Sequence, residues 1–133
     1  MSESERRDAA GTGSNPRLHA FPPERRLRKR ADFSAVYTRG RQWSQPLLRL
    51  RVSPNRGEHS RFGFVVGKRL GNAVVRNRVK RRLREAVRQM PVRQGYDVVI
   101  IGRAPAAKGT YQQLKQELQG LFQRARLLPG SER

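Results

Sequence analysis

The chain has 133 residues, and its 30 Lys or Arg against 10 Asp or Glu give a formal net charge of +20. That length suits one ordinary domain. The charge argues against most enzymes of small metabolites and for a polyanionic partner, nucleic acid or less often an anionic membrane surface.

Hydrophobic residues make up 35% of the chain, so the expected core is modest. Cysteine is absent, which removes disulfides, thiolate zinc sites and cysteine nucleophiles. The two histidines, His19 and His59, fall in stretches that read as tail or loop, so no histidine metal site or triad is expected. No apolar run approaches the ~18 residues of a spanning helix. Met1 to Arg17 lacks the apolar middle of a secretory signal. The expected location is the cytoplasm, with no membrane partner.

Residues 1–24 hold three basic and four acidic residues, which leaves +21 on the rest of the chain. Their Gly, Pro and Ser content offers little to bury, so they read as a disordered tail. Pro129 to Arg133 read the same way. The folded unit is expected over residues 25–128, with no internal repeat.

Within it, residues 30–39 place Phe33, Val36 and Tyr37 on one helical face, and Gly40 is the stop. Residues 41–45 are a candidate short edge strand that contains Trp43, to which the pattern assigns no role. Residues 47–52 alternate: Leu48, Leu50 and Val52 on one face, Arg49 and Arg51 on a wet or ligand-facing side. Pro54-Asn55-Arg56-Gly57 is a turn. Residues 61–66 form a second strand, expected to pair with 47–52 as a hairpin.

Residues 72–90 read as a long helix with the apolar stripe Val75, Val79, Leu83, Ala86, Val87 and Met90, ended by Pro91 and Gly95. Residues 96–101 are an apolar, β-branched run suited to a central strand. Thr110 and Gln113 form a capping box ahead of a last helix that buries Leu114, Leu118, Leu121, Phe122 and Ala125. The expected fold is a single small α+β domain in α-β-β-α-β-α order, one central sheet packed by helices.

The long helix is the strongest functional signal. From Lys68 to Arg93 there are ten basic residues and one acidic, Glu85. Arg81, Arg84 and Arg88 point away from the stripe with Asn77. Arg76 and Lys80 lie at one edge of it, Arg78 and Arg82 at the other. Like charges at i,i+4 cost roughly 0.2–0.5 kcal/mol each. A bound polyanion would remove that cost, and such binding falls steeply with salt. The competing reading is a solvated face that keeps a small protein soluble.

Phe33 and Tyr37, at i,i+4, are read on pattern alone as core residues that anchor helix to sheet, with base stacking as the alternative. Arg103, just past the central strand, is equally a phosphate contact or a solvated charge. The carboxylates after residue 24 are scattered over different elements, whereas two-metal nuclease chemistry needs them clustered. No catalytic or metal-ligating residue is therefore assigned. If the chain takes part in catalysis, these residues do not point to its performing the bond-breaking itself; the readings that compete are a ribosomal or other structural RNA-binding protein and a stand-alone nuclease using a carboxylate such as Asp97. DNA binding is less favoured, because the basic helix lies between strands rather than in a helix-turn-helix.

The stretch Gly71-Asn72-Ala73-Val74-Val75-Arg76-Asn77-Arg78-Val79-Lys80-Arg81, preceded by Lys68-Arg69, resembles the protein subunit of bacterial ribonuclease P. Leu27 to Gly40, Arg61 to Arg69 and Asp97 to Pro105 are similar to other parts of that family. The resemblance implies a ribonucleoprotein endonuclease of tRNA processing, in which a large RNA carries the chemistry and Mg2+. The protein binds that RNA and the 5′ leader of precursor tRNA, and itself holds no cofactor. Carried over by position, Lys68, Arg69, Asn72, Arg76, Asn77, Arg78, Lys80, Arg81 and Arg84 would contact the catalytic RNA. Arg30, Phe33 and Tyr37 would line a leader cleft, with Arg103 near it. One protein per RNA, monomeric when free, is implied, as is a left-handed crossover from strand 61–66 through the basic helix to strand 96–101.

Overall fold

The computed structural model describes residues 25–129. The expectations for residues 1–24, and for all but the first of residues 129–133, lie outside them. The elements are α1 (Arg30–Arg39), β1 (Arg41–Ser44), β2 (Leu48–Pro54), β3 (Arg61–Val66), α2 (Ala73–Arg88), β4 (Tyr96–Gly102) and α3 (Tyr111–Arg124). Two 3-10 turns, Lys68–Leu70 and Ala104–Lys108, follow β3 and β4. The architecture is α+β: one four-stranded mixed sheet packed by helices.

The strand order is β1-β2-β4-β3, with β4 antiparallel to β2 and parallel to β3. The candidate edge strand is therefore real, but the expected hairpin between β2 and β3 does not form. β4 is the strand with the longest apolar run, and Val98, Val99 and Ile100 have no exposed surface on either face. Such a run is stable only between two neighbours and under cover on both sides, so β4 takes the position between β2 and β3. The β2–β3 loop crosses the start of β4 instead of turning back on β2. It is tied there by Asn55, whose N–H donates to Gly95 O (2.8 Å) and whose Nδ2 donates to Asp97 Oδ1 (2.8 Å). Arg61 completes the knot: its Nε and Nη2 donate to the Asp97 carboxylate at 2.8 and 2.7 Å.

Alternation along β2 sorts the sheet into two faces. Leu48, Leu50 and Val52 face α2 and α3, where they join Val79, Leu83, Ala86, Val87, Leu114, Leu118 and Phe122 in the main core. Trp43 packs against that core from β1, with the Arg41 guanidinium 5.4 Å from its ring. The opposite face is covered by α1 through a smaller cluster of Leu27, Val36 and Val99, with Phe33, Val65 and Ile101 against it.

The helix termini follow local chemistry. Asn72 caps α2 by accepting from Val75 N–H (3.1 Å). Gly71 before it adopts φ 138°, a conformation open to glycine. Thr110 and Gln113 form the reciprocal capping box of α3. α1 stops at Gly40, whose backbone is ordinary extended; the glycine is needed because a Cβ would lie 2.3 Å from Val36 O. α2 is shorter than the expected 72–90, and Val75 at its start is only half-buried.

Candidate RNA-binding surfaces

α2 carries its charge on two unlike edges. On the edge toward α3, Arg78 Nη2 donates to Ala107 O (3.2 Å) and Arg82 Nη1 to Gly109 O (2.7 Å). These carbonyls end the 104–108 turn, so the two arginines close its C-terminus as cations do at helix ends. The edge toward β3 holds Arg76, Lys80 and Arg84 in one row, and Arg84 lies 5.9 Å over the Phe64 ring. Burial, with Arg84 and Arg76 beside it, pushes the Lys80 amine below its usual range. Arg84 is lowered by burial and by Arg26. Glu85 is engaged by Arg88 and Gln89 at the far end of the helix.

Among the described residues, no carboxylate pairs with Lys68, Arg69, Arg76, Lys80 or Arg81. Lys68, Arg69, Asn77 and Arg81 are exposed, Arg76, Arg78 and Lys80 are half-buried, and Arg84 keeps exposed surface while its guanidinium packs over Phe64. The structure thus gathers the expected RNA-contacting residues on one helix and the turn before it. It also gives two of them internal work: Asn72 as helix cap and Arg78 as turn anchor. Val74, 71% exposed, stands among them.

The second surface is the junction where α1 packs on the sheet. The Phe33 ring lies directly on Gly63 of β3; a Cβ there would be 2.4 Å from the ring. The ring is half-buried, so it anchors α1 and still offers an edge to solvent. Tyr37, one turn on, is 40% exposed, with the Arg51 guanidinium 5.3 Å from its ring. Arg51 is held by Gln42 Oε1 (2.6 Å). Among the described residues, the side chain of Arg49, next on this face, makes no hydrogen bond or ion pair, and its Nε is buried without a partner.

Arg49 and Arg51 were absent from the expected site, although the alternation of β2 marked their side as wet or ligand-facing. Arg30 is exposed at the start of α1. Arg103 is exposed at the end of β4, yet its Nη1 donates to Gln45 O (2.8 Å) and its N–H to Leu47 O (2.9 Å). It therefore braces the β1–β2 turn. Glu117 of α3 braces the same turn by accepting from Leu47 and Leu48 N–H at 3.0 and 3.1 Å.

Among the described residues, the carboxylates lie on different elements and most are engaged. Asp97 is held by Arg61 and Asn55, Glu85 by Arg88, and Glu117 by backbone N–H groups. Among the described residues there is no group of three or more His, Asp or Glu, and no helix is long and apolar enough to cross a membrane.

An α+β domain with a cationic helix on one face of its sheet, and aromatic rings beside arginines on the other, carries the chemistry of an RNA-binding protein. The family model for ribonuclease P matches residues 21–126. The ribonuclease P protein component of Roseiflexus castenholzii is 46% identical over 109 residues, covering 80% of this chain and 89% of that one. The solved structure of the Staphylococcus aureus RNase P protein matches with a TM-score of 0.72 at 32% identity, covering 78% of this chain and 97% of that chain. The Thermotoga maritima RNase P protein gives 0.67 at 29% identity, over 74% and 96% of the two chains. The chain belongs to the ribonuclease P protein family: it is the non-catalytic protein subunit of the ribonucleoprotein endoribonuclease that matures the 5′ end of tRNA, and its partner is ribonuclease P RNA.

Proposed function

We propose that the two faces of the sheet divide the RNA between them. The α2 face binds the catalytic RNA through Lys68, Arg69, Arg76, Asn77, Lys80, Arg81 and Arg84, with Asn72 and Arg78 shaping the surface as they touch it. The α1 cleft binds the 5′ leader of precursor tRNA. There Phe33 and Tyr37 offer rings for stacking, and Arg30 and Arg103 offer charge at its ends. Cleavage removes the leader. The RNA carries the Mg2+ on which the chemistry depends, and the chain's own residues bind and orient. One protein, monomeric when free, serves one RNA in the cytoplasm.

The observation that carries this reading is the placement of the unpaired cations of α2 and the half-exposed Phe33 on opposite faces of one sheet. One strand of RNA lying flat on the protein could not use both. A sheet this thin can instead hold a folded RNA on one side and a single strand on the other.

The test is reconstitution. Purified protein is mixed with a bacterial ribonuclease P RNA at low Mg2+, precursor-tRNA 5′ cleavage is assayed, and each component alone is the control. Cleavage that needs both components supports the reading. Cleavage by protein alone, or tight binding with no stimulation, overturns it. Within the holoenzyme, Arg76→Ala with Arg81→Ala weakens binding to the catalytic RNA more than to the leader, and Phe33→Ala does the reverse. Equal losses in both variants overturn the division of labour.

A further inference from the structure

The arm ahead of α1 holds Arg25, Arg26, Arg28 and Lys29 around one apolar residue, Leu27. Leu27 is buried with Val36 and Val99. Its N–H donates to Phe62 O (3.0 Å), and Arg26 forms a parallel bridge to Phe62. The arm is thereby fixed on the outer edge of β3, the last strand of the sheet. α2 lies on one face of this edge, and α1 begins on the other.

Cations from both elements meet there. Phe62 and Phe64 project from the same face of β3. Arg25 of the arm lies 5.2 Å over the first ring and Arg84 of α2 lies 5.9 Å over the second. Arg26 is near enough to Arg84 to hold its basicity down. Among the described residues, Arg28, Lys29, Arg76, Lys80 and Arg84 form no ion pair with any carboxylate.

A face built only for solubility would disperse its like charges; this edge brings them together from two distant parts of the sequence. Both rings are covered by guanidinium planes, so the edge offers charge rather than stacking. That chemistry suits a phosphodiester backbone regardless of its bases.

We propose that the β3 edge extends the α2 surface: Arg28 and Lys29 of the arm join Arg76, Lys80 and Arg84 of α2 in gripping one strand of the catalytic RNA by its backbone. That strand passes around the sheet edge from the α2 face toward the mouth of the α1 cleft. It would couple the two surfaces described above, and the inference rests on the reading that α2 holds the catalytic RNA.

The absence of native cysteine makes the test direct. Single substitutions Lys29→Cys on the arm, Val74→Cys on α2 and Gln119→Cys on the exposed side of α3 each carry a tethered iron chelate. Hydroxyl-radical cleavage of ribonuclease P RNA is then mapped in the reconstituted holoenzyme. Cuts from positions 29 and 74 with none from 119 support the proposal. Cuts from 74 without cuts from 29 overturn the edge surface and leave the α2 reading intact. No cuts from either position overturn both.

In parallel, Arg28→Gln with Lys29→Gln, two exposed side chains, makes the log–log salt dependence of RNA binding shallower by about 1.5, two phosphate contacts at roughly 0.7–0.9 each. An unchanged slope, with an unchanged urea midpoint, overturns the proposal.

Discussion

Gly63→Ala tests the seat of Phe33. A Cβ at this position would sit 2.4 and 2.6 Å from two ring carbons of Phe33 and 3.3 Å from a methyl of Leu27. Carbon atoms pack at about 3.5–4.0 Å, so the ring must move outward by about 1 Å or more. It is half-buried and can rotate toward solvent instead of compressing the strand, which keeps the penalty at the lower end of the usual 1–3 kcal/mol for overpacking. We expect about 1–2 kcal/mol, read as a lower urea midpoint.

The displaced ring also changes the cleft. A stacked base contributes about 1–3 kcal/mol, so loss of the stack lowers leader-dependent affinity roughly 5- to 150-fold. The assay is the ratio of holoenzyme affinities for precursor tRNA and for the same tRNA without its leader. Gly63→Ala reduces this ratio toward that of Phe33→Ala and leaves the affinity for ribonuclease P RNA alone. Wild-type stability together with a wild-type ratio would refute the packing argument. A stability loss with an unchanged ratio would remove Phe33 from the leader surface.

Three further expectations follow from individual contacts. The depressed pKa of Lys80 means that the unfolded chain binds more protons than the folded one between the folded value and the ordinary 10.5; the Lys80 contribution to stability therefore rises as pH climbs through that window and falls as pH drops back. Lys80→Met flattens that rise in urea titrations across the alkaline range, and an unchanged profile would show that Lys80 is not the source. Asp97→Asn leaves Arg61 with a neutral partner and costs about 1–3 kcal/mol, below the figure for a fully buried pair because Arg61 is a third exposed; precursor-tRNA cleavage per folded molecule stays at wild type, and its loss in a folded variant would place Asp97 in the chemistry. Thr110→Ala removes one half of the α3 capping box and lowers stability by about 1 kcal/mol, measured by the same denaturation, without change in RNA affinity.

What the sequence showed plainly was local. The stripe from Val79 to Val87, the Thr110–Gln113 box and the run from Tyr96 to Ile101 each depend on residues within a few positions of one another, and each appears in the structure. The strand order depended on a comparison between segments. Adjacent strands commonly pair, and the Pro54–Gly57 turn supported that default; the greater apolarity of β4 overrode it, because only β4 needed both of its edges paired and both of its faces covered.

Contacts across long separations were likewise out of reach. Glu117 accepts from Leu47 N–H seventy residues away, and nothing near either residue marks the pair. The alternation of β2 did mark Arg49 and Arg51 as a polar side. It could not say that α1 would bring Tyr37 against Arg51 on that side.

The arginines of α2 show the same limit more sharply, and its consequence for function. On a helical wheel Arg78 and Arg82 are the mirror of Arg76 and Lys80, and composition treats the two edges alike. In the folded chain one edge meets the carbonyls of Ala107 and Gly109, while the other meets a strand edge lined with more cations. The first edge stabilises the fold without RNA. The second is a concentration of like charge that the fold tolerates because Val79, Leu83, Ala86 and Val87 beneath it are fully buried. Binding a polyanion relieves that repulsion and leaves the stripe untouched, so it stabilises the native state selectively and couples RNA affinity to fold stability. The cations most unfavourable in the free protein are on this account the ones to which bound RNA adds most.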